Sequence, residues 1–186
     1  MRIAVSGTHC SGKSTLIEDF LAAHGDYHHE PEPYEWLDDM AEELTAHDFY
    51  RQLEVCVDRL RNYGRGEKVI AERSPVDFLA YLTAMTDLGR SARDCELMDS
   101  AAELAAEGMA HIDLLIVLPL NEKDGIVAPE SEDLELRNAM NDCLLDLITT
   151  DPYSLFHGVR IAEVHGTRQE RLRMLEARAR HRPEAR

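Results

Sequence analysis

Short apolar runs and longer stretches with apolar positions every three or four residues take turns along the chain. Residues 2–6 (RIAVS) read as a short buried strand. The following GKSTLIEDFLAAHG places Leu16, Phe20 and Leu21 at helical spacing until Gly25 stops the helix. YHHEPEP reads as a strand end, and Pro33, suited to a first helical turn, opens a predicted helix through YEWLDDMAEELTA. DFYRQLEVCVDRLRNYG is helical, with Phe49, Leu53, Val57 and Leu60 on one face; EKVIAERSP is a strand, after which Pro75 starts another helix. A polar helix pair is expected over residues 74–108. HIDLLIVLPL is the most continuous apolar run, the pattern of a parallel strand covered by helices on both faces. NEKDGIVAPESED has turn chemistry without periodicity and gives way to the helix LELRNAMNDCLLDLI. GVRIAEVHG supplies a last strand and TRQERLRMLEARARHR a last, arginine-rich helix, read as a solvated face. Strands alternating with helices imply an α/β fold with a parallel sheet of about five strands and right-handed crossovers.

Length changes this picture little: 186 residues suit one domain, residues 1–186, with a single core. The hydrophobic share of 44% and the charged share of 30% are those of a globular chain. The net charge of −16 disfavours nucleic acid as a partner, because binding a polyanion rests on neutralised phosphates. A small anion remains admissible, since local N–H groups and one lysine can outweigh acidic surface screened over about 10 Å. Cys10, Cys56, Cys95 and Cys143 form no CxxC pair, which fits a reducing cytoplasm, and no apolar run reaches the roughly 18 residues of a membrane span. A cytoplasmic protein without membrane partners is expected.

The chemistry is concentrated in GTHCSGKST. Gly7, Gly12, Lys13 and Ser14 match G-x-x-x-x-G-K-[ST] without a mismatch, between a predicted strand and a predicted helix. Such a loop wraps an anion closely, so the glycines occupy positions a Cβ would block, and successive N–H groups with the helix N-terminus face phosphate oxygens. Thr8, His9, Cys10, Ser11 and Thr15 belong to the same nucleotide-binding stretch, although His9 and Cys10 occupy variable positions. Lys13 would reach the β and γ phosphates of ATP, and the Ser14 hydroxyl would ligate Mg²⁺. Beyond the loop, the residues leave alternatives open: Glu30 and Glu32 are either a general base across from Lys13 or solvated loop acids, and Glu72-Arg73 either functional groups at a strand end or a surface pair. His24, His28 and His29 beside Glu30 lack ligand spacing for a metal, because Gly25 interrupts the helix between the first two.

GTHCSGKSTL together with ERSPVDFLAYL resembles the AAA-domain P-loop kinase family that includes the ribosylnicotinamide kinase domain, and is similar to deoxynucleoside kinases, over residues 1 to about 178. The resemblance implies a three-layer P-loop NTPase fold with sheet order 2-3-1-4-5 and phosphoryl transfer from ATP to a small hydroxyl acceptor, nucleoside-like, with a homodimer compatible. It implies that Glu32, or else Glu30, accepts the acceptor proton, Glu32-Pro33 with Trp36 matching the family's EP…W stretch. Glu72 would bind magnesium through water, and Arg73 would hold the acceptor or the transferred group. Gln52 would read a base or nicotinamide amide, with Trp36 on the substrate side. Residues 121–137 correspond to a lid, with Asp124-Gly125 as its turn and Arg137 as its downstream arginine. Where family members carry another lid arginine this chain has Ile126-Val127-Ala128, with Lys123 or Arg137 as substitutes. EVHGTRQERL is similar to the family's strand-Gly-Ser/Thr-x-x-x-Arg stretch, where backbone around Gly166 and Thr167 would border adenine, and Thr167 with Glu170 also fits a helix-capping box. A nucleoside monophosphate kinase using Arg51, Arg59 and Arg61, and a regulatory ATP-binding module, are the alternatives.

Overall fold

The computed structural model describes residues 1–37, 44–121, 124–129 and 131–180. Five strands, β1 (Arg2–Ser6), β2 (His28–Glu30), β3 (Val69–Glu72), β4 (Leu114–Val117) and β5 (Arg160–Glu163), form one parallel sheet in the order β2-β3-β1-β4-β5. Six α-helices cover it: α1 (Lys13–Ala23), α2 (Ala46–Arg61), α3 (Pro75–Asp87), α4 (Cys95–Met109), α5 (Leu134–Thr150) and α6 (Arg168–Arg180). The expected α/β P-loop architecture and strand order are therefore present.

Strand alternation sorts the core into two layers. Ile3 and Val5 of β1 and Leu114 and Ile116 of β4 join Leu16, Ile17 and Phe20 of α1 and Leu175 of α6 on one face. Ala4, Leu115 and Val117 join α2, α3, α4 and α5 on the other. No described helix is long and apolar enough to cross a membrane.

Two elements depart from the sequence reading. The helix expected from Pro33 is a single 3₁₀ turn, Pro33–Trp36; residues 38–43 of that prediction lie outside the described residues. The expected polar pair over 74–108 is polar only in its second member. Helix α3 is buried from Pro75 to Leu82 and again at Ala84 and Met85, because it packs against α2, α4 and α5 at once and has almost no solvent face. Since every strand is parallel, the C-terminal ends of β1, β2, β3 and β4 open on one edge, where an open α/β sheet places its ligand crevice.

Candidate active site

The loop after β1 has the backbone its sequence demands. Gly7 (φ +154°) and Gly12 (φ +88°) both lie in the positive-φ range. A Cβ on Gly7 would stand 2.8 Å from the Leu118 carbonyl, and one on Gly12 would stand 2.7 Å from Arg171 Nη1 and 2.9 Å from Ile126 Cδ1. Within the loop the buried Ser11 hydroxyl has no hydrogen-bond partner among the described residues. An orphaned buried hydroxyl in a cradle built on glycines fits an incoming oxyanion.

Asp77, which sequence reasoning missed, fixes this loop from below. Its fully buried carboxylate accepts from the Gly7 amide (2.9 Å), the Ser6 hydroxyl (2.6 Å) and both the amide and hydroxyl of Ser74. Ser74 and Asp77 also form the capping box that starts α3. One acid thus ties the start of the phosphate loop to the helix that carries the opposite wall. Its only sequence signal was the S-x-x-D spacing.

Lys13 is buried, donates to the Thr8 carbonyl (3.1 Å) and lies 3.4 Å from Glu32 Oε1. Burial and the nearby Arg73 hold its pKa below the ordinary lysine value, against the pull of Glu32 and Glu72. The Ser14 hydroxyl donates to Glu72 at 2.8 Å, so the two residues expected at a magnesium ion meet. Burial, and then Glu32, raise the Glu72 pKa against the opposing pull of Ser14, Lys13 and Arg73. A hydroxyl and a carboxylate are hard oxygen donors of the kind Mg²⁺ takes.

Arg73 is buried and adopts φ +81°, a conformation rare for a residue with a side chain. That torsion aims the guanidinium at the loop: Nη1 donates to the Gly7 carbonyl (2.7 Å) and Nε lies 3.0 Å from Glu32. The group also sits 5.3 Å from the Tyr81 ring. Burial opposes its charge, but Tyr81, Glu32, Asp77 and Glu72 outweigh this and raise its pKa above the usual arginine value.

Glu32 therefore lies between two cations. Burial pushes its pKa up, yet Arg73 and Lys13 prevail and hold it below the ordinary carboxylate range. Pro31 and Pro33 flank it, and its backbone (φ −57°, ψ 139°) is the extended conformation the following proline imposes. Glu30 is placed elsewhere. Arg59 grips both its oxygens (2.8 and 3.0 Å), the Tyr63 hydroxyl donates to it, and it borders a void of about 10 Å³, room for no more than a water. Trp36 lies 4.1 Å beneath the same Arg59 and does not line the main cleft.

That cleft has a volume of about 1080 Å³ and opens beside Glu32 and Arg73. Phe49 and Tyr81 stack along its wall with ring centroids 4.4 Å apart, and the buried Gln52 amide lies in the same lining. His9, a variable loop position by sequence, also lines it. Its Nδ1 and its amide lie 3.2 Å from the Tyr81 hydroxyl, and Nε2 lies 3.2 Å from the Asp133 carbonyl. Burial lowers the His9 pKa below the ordinary histidine value, against the pull of Glu132. Of the arginines weighed for a monophosphate acceptor, Arg59 is held by Glu30 and Arg61 by Asp58 and Glu107, and neither lines the cleft, nor does Arg51.

Across the loop, Arg137 donates to the carbonyls of His9 (3.1 Å) and Cys10 (3.0 Å). The lid segment reaches the same place: Ile126 packs over Gly12, and the Asp124 carboxylate accepts from the Gly166 amide (2.6 Å). Lys123 lies outside the described residues. Thr167 and Glu170 form the expected capping box at the start of α6. Arg171 corrects the reading of this helix as a solvated face: it is buried against the loop and donates to Ser11 (3.1 Å) and Gly166 (3.0 Å) carbonyls. The sequence sign of it was the match of Arg171 to the arginine of the family's strand-Gly-Ser/Thr-x-x-x-Arg stretch, while the polar composition of the helix spoke for solvent.

No protein-family model and no curated protein sequence matches the chain. Solved structures do. A deoxyadenosine kinase from M. mycoides with bound dATP superposes with a TM-score of 0.64 at 16% identity, covering 97% of this chain and all (100%) of that one. A thymidylate kinase from Ehrlichia chaffeensis gives 0.62 at 16% identity over 96% of this chain and 98% of its own. NadR protein in complex with NR gives 0.66 at 18% identity, covering 99% of this chain and 53% of that one. The fold is that of P-loop nucleoside and nucleotide kinases.

Proposed function

We propose that the protein is an ATP-dependent P-loop kinase whose acceptor is an unphosphorylated, nucleoside-like hydroxyl compound. The observation that carries this reading is the position of Glu32, 3.4 Å from Lys13 and 3.0 Å from Arg73, at the mouth of a large aromatic-walled cleft. An ATPase needs the loop and a group to position water, but no cleft for a second substrate. A carboxylate facing a roomy cleft beside the phosphate cradle supplies what a kinase needs in addition, a group to orient and deprotonate an acceptor hydroxyl.

In this reading the loop amides and Lys13 bind the triphosphate of ATP, and Ser14 with Glu72 holds Mg²⁺, which supplies neutralisation of phosphate charge. Glu32, kept ionised by its two cations, accepts the acceptor proton. Arg73, fixed on the Gly7 carbonyl, sits where charge develops between donor and acceptor. Phe49 and Tyr81 offer a face for a planar ring, and Gln52 an amide edge to read it.

The charge of the cleft favours a hydroxyl over a phosphomonoester acceptor. Its two arginines are already matched, Arg73 by Glu32 and Asp77, and Arg90 by Asp133 and Glu135, while Glu132 adds a further acid to the lining. A dianionic phosphate would have to displace one of these pairs. The thymidylate kinase neighbour and the presence of Arg90 in the lining favour the second reading, a nucleoside monophosphate kinase. Assaying ADP release with a panel of nucleosides and their monophosphates tests both. Turnover with nucleosides, lost in Lys13→Ala, is expected; turnover with monophosphates alone transfers the assignment to the second reading, and ATP hydrolysis indifferent to every acceptor removes the kinase.

A further inference from the structure

Buried guanidinium groups are normally matched to carboxylates, because an uncompensated buried charge is costly. The other buried arginines of the described residues obey: Arg2 pairs with Asp113 and Arg73 with Glu32. Arg171 does not. It is 6% exposed, and its hydrogen-bond partners among the described residues are two neutral carbonyls, those of Gly166 and Ser11. The Nη2 nitrogen has none among the described residues.

Its position relative to the phosphate loop is close. Nη1 lies 2.7 Å from where a Cβ on Gly12 would stand, one residue before Lys13. With Gly12, Thr15 and Ile126 it lines a cavity of about 160 Å³ beside the start of α1. Lys13, the other cation at the turn, shares Glu32 with Arg73. In a chain of net charge −16, Arg171 and Arg137 are thus cations at this loop that no described acid neutralises. Arg137 grips the loop at residues 9 and 10, Arg171 at residue 11, where the apolar Ile126 of the lid covers Gly12 and brings no charge.

We infer that Arg171 is a nucleotide-binding residue: its guanidinium contacts the phosphate tail from the α6 side of the loop and supplies there the positive charge that Ile126-Val127-Ala128 does not bring. The inference rests on the reading of residues 7–15 as an ATP site. A charge-assisted contact of this kind corresponds to roughly 10- to 100-fold in affinity.

Calorimetric titration with ADP and with inorganic tripolyphosphate, on the full chain, tests it in wild type, Arg171→Gln, Arg171→Lys and Lys13→Ala. Arg171→Gln is expected to weaken both ligands about 10- to 100-fold while the ligand-free melting temperature stays within a few degrees, and Arg171→Lys to recover most of the loss. Unchanged affinity in Arg171→Gln overturns the inference. So does a loss that follows a lowered ligand-free melting temperature and is not restored by lysine, since that marks a strut between the Ser11 and Gly166 carbonyls. Should the glutamine variant not fold, Arg171→Met takes its place: a 10- to 100-fold loss for tripolyphosphate at a ligand-free melting temperature within a few degrees of wild type supports the contact, and wild-type affinity removes it. Lys13→Ala separates the two levels, because wild-type binding there sinks the ATP site itself, whereas weak binding there with intact Arg171→Gln sinks this residue alone.

Discussion

Two carboxylates leave the end of β2 two residues apart and meet opposite surroundings. Glu30 is buried among Arg59, Tyr63 and a void fit for one water, with both oxygens occupied. Glu32 faces the large cleft, and its partners, Lys13 and Arg73, belong to the phosphate loop and the end of β3. Both are paired to cations, so pairing alone does not mark a working acid. The difference lies in what the partners are committed to. Arg59 is itself held against Trp36 and has no cleft to serve, whereas Lys13 and Arg73 also hold the loop carbonyls of Thr8 and Gly7.

Replacement of each acid by its amide sharpens this contrast. Glu32→Gln is expected to lower kcat by about 10² to 10⁴ with nucleotide affinity nearly unchanged, read by steady-state kinetics beside ADP calorimetry. A loss of nucleotide affinity as large as the loss of turnover would make Glu32 a loop strut and erase the contrast. Glu30→Gln is expected to act on stability instead, by about 2–3 kcal/mol, toward the low end for a broken buried pair because Arg59 is one-third exposed at its side chain (34%). Urea unfolding measures it; a collapse of kcat in a normally stable Glu30→Gln protein would exchange the two roles.

The smallest expected effect lies at alkaline pH. Burial and then the Glu30 contact push the Tyr63 pKa up to about 12. Because the folded value exceeds the unfolded value of about 10, the associated stability is complete below pH 10 and is lost as pH rises from there toward 12. A Tyr63→Phe protein should therefore show a flatter fall of urea midpoint between pH 9 and 11.5 than wild type. Equal slopes would detach Tyr63 from Glu30.

Much of this was legible in the chain. Glycine and lysine spacing named the loop, because backbone curvature around an anion tolerates few residue types, and the strand pattern gave the sheet, because strands covered on both faces have no polar positions to spare. The preference for Glu32 over Glu30 rested on the EP…W resemblance alone; what holds Glu30 away from the cleft was not legible, because Arg59 and Tyr63 are brought by α2 and the turn after it from about thirty residues away. Helix α3 was misread because Asp77 and Tyr81 interrupt its apolar pattern, yet both are buried, one capping the loop and the other stacked on Phe49. Arg171 was marked by the Gly-Ser/Thr-x-x-x-Arg resemblance alone, since a helix rich in alternating charge looks the same whether one arginine turns inward or none does.

The prolines on either side of Glu32 have a consequence for how such a molecule can move. Each ring removes a rotation and an amide hydrogen, so the carboxylate stands on a rail rather than a hinge. Whatever shuts over bound reactants must then travel toward it from the side of Ile126 and α5, while the acid itself stays where the chain has clamped it.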